Sequence, residues 1–297
     1  MTIEAVVTIE LGRVGIWSPS FTWGTDDRRA VAAELDGLGY GTLWLGSSAG
    51  DLRLVEELLD ATQRIVLATG IVNIWAYPAA ELAANAHRLA TRYPGRFMLG
   101  LGASHAPQVE ALGRTYRQPL RQLAGYLDEL DRARHPVPVG HRVLAALRPK
   151  ALALAAQHSA GAHPYLVTPA HTELARRELG PQPLLAPEQK VVLAPDRAEA
   201  RALARQNLAY YLRLPNYVRN LQALGFTADD LADGGSDRLV DGLFAWGVDG
   251  AVQRVREHHD AGADHVAVQA ITPEVDPGTR SGRPALAEWK ELAAALA

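Results

Sequence analysis

Residues 94–105 read Pro94-Gly-Arg-Phe-Met-Leu-Gly-Leu-Gly102-Ala-Ser-His105. The Pro-Gly pair ends the helical segment before it, the apolar run at 96–102 is typical of a buried strand, and a polar loop follows. The same order of strand, loop and helix returns along the chain, and this alternation is typical of a parallel sheet wrapped by helices. We predict eight strands, at residues 13–17, 42–46, 65–74, 96–102, 142–147, 164–168, 189–193 and 265–271.

The sequence therefore predicts an α/β fold, a (β/α)8 TIM barrel with a helical insertion between strands 7 and 8. A chain of 297 residues suits one barrel of this kind, and no linker rich in Ser, Gly or Pro divides it. We expect residues 1–297 to form a single domain. The insertion spans about residues 196–247, with helices expected at 198–214, 218–225 and 237–245.

Charge and composition exclude several classes of function. The formal net charge is −3, whereas proteins that bind nucleic acid or anionic membranes need clustered excess Lys and Arg, so we expect neither partner. The first residues lack the pattern of a signal peptide and no apolar run is long enough to cross a membrane, which leads us to expect a cytoplasmic protein. The chain has no cysteine, which excludes disulfides, Fe–S clusters, thiolate zinc sites and Cys nucleophiles.

Two loops at predicted strand ends suit a phosphate group. In barrels of this type the catalytic groups lie on the loops that follow the strands. A short turn into a helix N-terminus presents free N–H groups and the positive end of the helix dipole to an anion. The first such turn is Leu147-Arg-Pro-Lys150, which adds two cations, and the second is Thr168-Pro-Ala-His171, which adds a hydroxyl. The alternative is that Pro149 and Thr168 only start their helices.

Six segments, taken in order, resemble the luciferase-like monooxygenase superfamily, and specifically its actinobacterial branch that depends on the deazaflavin F420. The resemblance covers almost the whole chain, and the stretch at 94–102 is its most specific piece. The segments are Arg13-Val-Gly-Ile-Trp17, Leu43-Trp-Leu-Gly46, Ala68-Thr-Gly-Ile71, Pro94-Gly-Arg-Phe-Met-Leu-Gly-Leu-Gly102, Ala145-Ala-Leu-Arg-Pro-Lys150 and Gly161-Ala-His-Pro-Tyr-Leu-Val-Thr-Pro169.

The resemblance implies an oxidoreductase that binds F420, or alternatively FMN, with the ring across the strand ends and its phosphate held after strands 5 and 6. It further implies a small-molecule substrate, a homodimer, no metal, and a non-proline cis peptide at Gly70–Ile71. Arg280 and Arg283, with Arg148 and Lys150, are candidates for the acidic tail of F420. The implied cofactor-binding residues are Trp17, Trp44, Gly46, Ser47, Gly70, Ile71, Asn73, Gly102, Ala103, Ser104, Leu147, Arg148, Pro149, Lys150, His163, Tyr165 and Thr168.

The chain departs from its relatives at the position where several of them handle protons. They carry an acidic residue and a histidine after strand 2, where this chain has Gly46-Ser-Ser48, and Ala76-Tyr-Pro78 replaces an Arg-His-Pro after strand 3. His105 is then the best-placed titratable group, since histidine changes charge in the pH range of acid–base catalysis. The alternative is an ordinary loop histidine that forms hydrogen bonds.

We expect hydride transfer between the cofactor and a small, mainly apolar substrate, with Trp17, Trp44, Trp75 and Tyr77 as pocket walls. Aromatic residues at strand ends also serve as core caps, which is the alternative role for these four. The rival function is a barrel that binds a flavin-like ligand, or pairs with a related subunit, without turnover.

Two other enzyme classes fit the sequence less well. A metal-dependent hydrolase is suggested by the 10 histidines, but strand 1 has no His-x-His pair and only His258-His259 approaches ligand spacing. A Schiff-base aldolase needs a buried lysine at a strand end, whereas Lys150 follows a proline that opens a helix.

Overall fold

A computed structural model describes residues 8–296 of the protein. Its strands are β1 (Val14–Pro19), β2 (Thr42–Gly46), β3 (Val66–Thr69), β4 (Val72–Asn73), β5 (Phe97–Gly102), β6 (Arg142–Leu144), β7 (Gly161–Ala162), β8 (Leu184–Leu185), β9 (Glu188–Val192), β10 (Phe244–Trp246) and β11 (Val266–Ala270). Its α-helices are α1 (Arg28–Asp36), α2 (Arg53–Asp60), α3 (Ala79–Arg92), α4 (Ala106–Glu110), α5 (Pro119–Asp131), α6 (Pro149–His158), α7 (Pro169–Leu179), α8 (Arg197–Tyr211), α9 (Pro215–Ala223), α10 (Ala228–Leu231), α11 (Asp237–Leu243), α12 (Gly247–Asp260) and α13 (Leu286–Leu296). Within residues 8–296, no helix combines the length and the apolar character needed to span a bilayer.

The strands form a closed ring. Strands β1, β2, β3, β5, β6 and β7 pair in parallel in that order. The ring closes through the segment at 184–192, which contains β8 and β9: the N–H of Leu184 donates to the carbonyl of Ala160 beside β7 at 2.7 Å, and the carbonyl of Pro187 accepts from Ala267 in β11 at 2.9 Å. Since β11 pairs with β1, the predicted (β/α)8 barrel is confirmed.

Alternate side chains of each strand face opposite layers, as expected of parallel strands covered on both sides. On β2, Leu43 and Leu45 pack with the surrounding helices. Trp44 points inward and packs with Val66 and Met98 inside the ring. The carboxyl ends of all the strands therefore meet at one end of the barrel, where the loops can share a site.

Helices α8 to α11 follow β9 and lie within the segment where a helical insertion was expected. Tyr211 at the end of α8 and Tyr217 in α9 pack with Leu166 and Ile271, which follow β7 and β11. The segment thus reaches the carboxyl ends of the strands. It also contains β10, which pairs in parallel with β9, so the helix expected at 237–245 ends at Leu243.

Three predicted strands differ from the structure, and the one predicted at 142–147 ends at Leu144. The strand predicted at 164–168 is wrong, because pairing is confined to β7; Pro164 has no N–H to donate, and Leu166 has a left-handed φ of 58°. The strand predicted at 65–74 is divided into β3 and β4 by a non-proline cis peptide between Gly70 and Ile71. That cis peptide lies where the resemblance implied it.

We expect Gly161→Ala to destabilise the protein by at least about 2 kcal/mol, because φ at Gly161 is +154° and an added Cβ would lie 1.9 Å from the carbonyl oxygen of Leu184. Urea unfolding measures this free energy. The matched control is Gly125→Ala in α5, where an added Cβ has no neighbour within 4 Å, so the change should stabilise the helix by up to about 1 kcal/mol. Equal unfolding free energies for the two variants would contradict the described closure of the ring.

Candidate functional site

A cavity of about 1150 Å³ opens at the carboxyl ends of the strands. Loops after the strands form its floor and sides, and helices α8 and α9 supply part of its wall. His105 lines this cavity. So do all the predicted cofactor-binding residues except Trp44, Gly46 and Thr168. The tertiary structure thus brings together side chains that are far apart in the sequence.

These three residues lie behind the cavity wall. Trp44 is fully buried inside the ring and its Nε1–H donates to Nε2 of His265 at 3.0 Å. Gly46 leaves room for the ring of Trp17, since an added Cβ would lie 2.2 Å from it. Thr168 caps its own helix by accepting a hydrogen bond from the N–H of His171 at 3.3 Å. Each supports residues of the site instead of facing the cavity.

The floor of the cavity carries a donor and an acceptor that face the same point. Nε1–H of Trp17 and Nε2 of His163 are both buried without a hydrogen-bond partner within the described chain. A Cβ built on Gly70 would lie 2.8 Å from the first atom and 3.3 Å from the second. The ring of Tyr165 packs against that of Trp17 with centroids 4.8 Å apart. Glycine at position 70 therefore keeps open the space that both polar atoms face.

His163 is held as a neutral imidazole with a defined tautomer. Its Nδ1 lies 2.6 Å from the carbonyl oxygen of Ala186, which can only accept, so Nδ1 carries the proton and Nε2 is an acceptor. Burial lowers the pKa of His163 to about 4. Beneath it, the ring of Trp44 stacks nearly parallel at 4.0 Å, which fixes the direction of Nε2.

A cationic turn lies at one end of the cavity. Arg148, Pro149 and Lys150 line it at the N-terminus of α6, and all three are exposed. Neither Arg148 nor Lys150 pairs with a carboxylate in the part of the chain that the structure describes. His171 donates from Nε2 to the carbonyl of Leu147 at 2.7 Å and so fixes the start of the turn. Free cations at a helix N-terminus suit a phosphate.

The second predicted phosphate turn does not face the cavity. Thr168 is buried and its hydroxyl is engaged with the backbone of its own helix. No residue at 168–171 lines the cavity. Of the two anion sites that the sequence indicated, only the turn after β6 shares a cavity with the other site residues.

His105 lines the cavity but lacks the environment of a general acid. Its ring packs against Tyr217 at 4.9 Å, and Nδ1 is buried without a partner among the described residues. Burial lowers the pKa of His105 to about 4. The imidazole is therefore neutral near pH 7, where it can accept a hydrogen bond but is too weak a base to hold a proton.

Some of the other residues expected at the cavity wall line the cavity, and others do not. Trp17 and Tyr77 line the cavity, whereas Trp75 donates from Nε1 to the carbonyl of Ala103 at 2.9 Å and lies behind it. Arg280 lines the mouth with its guanidinium 5.4 Å from the ring centroid of Phe21. Arg283 is exposed and does not line the cavity.

A buried ion pair beside the cavity was not anticipated from the sequence. Nζ of Lys190 lies 3.2 Å from Oε1 of Glu188, and both side chains are 1% exposed. Burial lowers the pKa of Lys190 and raises that of Glu188, while the charge of each partner opposes that change. A signal was available: two charged residues alternate in a short strand that ends in two valines, and Lys190 is one of only three lysines in the chain.

Comparison with known proteins supports the same assignment of fold. The family model described as luciferase-like monooxygenase matches residues 13–265. The N-acetyl-S-alkylcysteine monooxygenase of Bacillus subtilis (strain 168) is 36% identical over 101 residues, which are 33% of this chain and 30% of that protein. The aligned part therefore spans under a third of that relative's length.

Solved structures with low sequence identity share the barrel over nearly its full length. An F420-dependent secondary alcohol dehydrogenase in complex with an F420–acetone adduct has a TM-score of 0.71 at 16% identity, covering 96% of this chain and 99% of that chain. The coenzyme F420-dependent tetrahydromethanopterin reductase of Methanopyrus kandleri has a TM-score of 0.69 at 15% identity, covering 97% of both chains. The oxygenating constituent of 3,6-diketocamphane monooxygenase from Pseudomonas putida, in complex with FMN, has a TM-score of 0.63 at 17% identity, covering 96% of this chain and 98% of that chain.

We expect His105 and His163 to stay neutral far below the usual pKa of histidine, with titration midpoints near pH 4 because of burial. Long-range ¹H–¹⁵N spectra of the imidazoles measure both the midpoints and the tautomer of His163. His105→Gln and His163→Gln identify the two sets of signals. A midpoint near 6.5 for either residue would show that its burial is not as described.

The same shifts predict loss of stability in acid. Both folded-state pKa values lie below that of an unfolded histidine, so the unfolded chain binds more protons between about pH 6.5 and 4. The free energy of unfolding should therefore be at its full value above pH 6.5 and fall as the pH drops, by up to about 1.4 kcal/mol per pH unit for each histidine. Urea unfolding at several pH values checks this slope, which His163→Gln should reduce.

Proposed function

The chain belongs to the luciferase-like monooxygenase family, and we propose that it is an oxidoreductase that uses F420, or alternatively FMN, to act on a small, mainly apolar organic molecule. The observation that carries this proposal is one cavity with free cations at one end, and with a buried donor and acceptor of fixed direction on its floor. When bound, such a cofactor supplies two-electron hydride transfer.

The residues of the site fit a phosphorylated ring cofactor. Arg148 and Lys150, at the N-terminus of α6, suit its phosphate. The ring of a flavin or deazaflavin carries adjacent carbonyl and N–H groups, which complement the free Nε1–H of Trp17 and the bare Nε2 of His163. An added Cβ at position 70 would occupy the space that these two atoms face, so Gly70 leaves room for the ring of the cofactor.

The walls beyond this region support an apolar substrate. Side chains that line the cavity from the loop after β1, from α2 and from α5 are largely apolar, and they are Phe21, Leu52, Leu54, Val55, Leu120 and Leu123. Their role would be to orient the substrate and to exclude water from the reaction. His105, neutral near pH 7, is suited to accept a hydrogen bond from a ligand in the cavity.

F420 is our first choice of cofactor for two reasons. The alcohol dehydrogenase and the reductase with which the chain shares its barrel are described as F420-dependent. Arg280 adds a third cation at the mouth of the cavity, where it would meet the acidic tail that F420 has and FMN lacks.

Fluorescence titration of the purified protein with F420 and with FMN tests the proposal, and we expect micromolar binding of at least one of them. Arg148→Gln and Lys150→Gln should each weaken binding by about tenfold, since each removes one charge-assisted contact to phosphate. The control Arg132→Gln removes an exposed arginine that pairs only within its own helix turn at 4.0 Å, and it should leave binding unchanged.

Riboflavin separates the phosphate contact from the ring contact, because it has the ring of FMN without its phosphate. Binding of riboflavin should be equally weak in the wild type, Arg148→Gln and Lys150→Gln. If the wild-type protein binds neither F420 nor FMN at micromolar concentration, the proposed function is wrong. If a cofactor binds but no alcohol, enone or imine changes its redox state, the chain is a binding protein.

A further inference from the structure

The Lys190–Glu188 pair is the centre of a buried hydrogen-bond network that reaches the cavity. Nζ of Lys190 donates to the hydroxyl of Tyr165 at 2.6 Å and to Oε1 of Gln269 at 2.8 Å, and its third N–H faces Glu188. The hydroxyl of Tyr165 lies 2.7 Å from that of Tyr211. Tyr165, Tyr211 and Gln269 all line the cavity, whereas Lys190 and Glu188 lie behind it. The proposed binding of cofactor and apolar substrate uses neither charge.

The donors and acceptors give this network a direction. An ammonium can only donate, so the oxygen of Tyr165 accepts from Lys190 and its own O–H must donate elsewhere. The O–H of Tyr165 has two acceptors within reach, Oε1 of Gln269 at 2.9 Å and the hydroxyl of Tyr211 at 2.7 Å, and the nearer of the two leads to the cavity. When Tyr165 donates to Tyr211, the O–H of Tyr211 is free to donate into the cavity. A charged first donor polarises each bond along such a chain.

Contacts between aromatic rings place Tyr211 next to the floor of the cavity. The ring of Tyr165 packs on Trp17 at 4.8 Å and on Tyr211 at 5.4 Å. Tyr211 therefore stands at the edge of the floor on which the ring of the cofactor is proposed to lie. Burial raises the pKa of Tyr165 and of Tyr211 above the ordinary value of tyrosine, so both remain protonated donors.

We propose that the hydroxyl of Tyr211 binds the oxygen of a carbonyl substrate and gives it a proton, with Lys190, Glu188 and Tyr165 as positioning residues. This rests on the proposed function, whose reduced cofactor supplies the hydride. As the hydride adds to the carbonyl carbon, the π electrons of the C=O bond move to its oxygen, which takes the proton of Tyr211 and becomes a hydroxyl. The phenolate of Tyr211 accepts the hydrogen bond of Tyr165 and regains a proton from water after the alcohol leaves. The reverse sequence oxidises an alcohol.

The substrate class follows from what the cavity offers. The cavity presents a hydroxyl donor supported by a buried positive charge, and apolar side chains from the loop after β1, from α2 and from α5 also line it. A ketone or aldehyde with an apolar remainder matches both features, because its only polar atom is an acceptor oxygen. This places the proton donor on α8, and not in the loop after β2, which carries Ser47 and Ser48.

Acetophenone labelled with ¹³C at its carbonyl is the probe for this site. Added to the cofactor-loaded protein, it should show a bound carbonyl signal that is downfield because its oxygen accepts a hydrogen bond. Tyr211→Phe should abolish that downfield shift and lower kcat/KM for acetophenone reduction by about 100-fold, with the affinity for cofactor unchanged. The control Tyr93→Phe removes a tyrosine hydroxyl that bonds to Asp60 and does not line the cavity, and it should leave shift and rate unchanged.

A double variant that carries both Lys190→Met and Glu188→Gln tests the positioning residues, because it removes both buried charges together. We expect the carbonyl signal to move towards its position in Tyr211→Phe and the rate to fall, while the protein stays folded by circular dichroism. If that folded variant keeps the wild-type carbonyl shift and the wild-type rate of acetophenone reduction, Lys190 and Glu188 form a structural ion pair and do not position Tyr211.

The outcomes separate this inference from the proposed function. If cofactor binds but acetophenone does not, or if its bound signal is the same in Tyr211→Phe as in the wild type, the carbonyl site is wrong and the cofactor-dependent function stands. Failure of the wild type to bind F420 and FMN would instead overturn the function on which this inference rests.

Discussion

Closure of the strand ring through residues 184–192 is the constraint on which the rest of the structure depends. This segment is hydrogen-bonded to β7 on one edge and to β11 on the other, so its register fixes which of its side chains enter the barrel. Glu188 and Lys190 point inward, while Gln189 points outward and accepts from Nε2 of His258 at 2.9 Å. A slip of one residue would exchange these faces and bury the wrong polar groups. The position of the buried charges is therefore a consequence of how the ring closes.

The barrel interior contains a buried ion pair and several buried histidines. Removing Lys190 and Glu188 from water carries a large desolvation cost, which their mutual attraction and the bonds to Tyr165 and Gln269 offset. The nearby histidines are instead buried neutral: His265 donates from Nδ1 to the carbonyl of Gly12 at 2.8 Å and accepts from Trp44 at Nε2. Two of the buried polar atoms that lack a partner among the described residues, Nε1 of Trp17 and Nε2 of His163, lie on the floor of the cavity.

Different elements of the structure supply the cations and the tyrosines that line the cavity. The turn into α6 belongs to the repeating strand–helix pattern and supplies free cations. Tyr211 and Tyr217 come from α8 and α9, which follow β9 and pack over the loops after β7 and β11. With the proposed phosphate site on the turn into α6 and the proposed proton donor on α8, changes in α8 and α9 would alter the substrate side of the cavity while the phosphate site and the fold stay the same.

The sequence by itself determined the barrel, because strand and helix periods, Pro-Gly breaks and glycines are local signals that survive without knowledge of contacts. It also indicated the turn at 147–150, since a proline beside two cations after a strand is readable in order along the chain. Tertiary structure alone decided which polar residues face the cavity. Thr168 turned out to cap its own helix, and Trp44 to lie under His163. Lys190, Tyr165 and Tyr211 meet although they are separated by tens of residues, because ring closure and helix packing, which no local pattern encodes, set their distances.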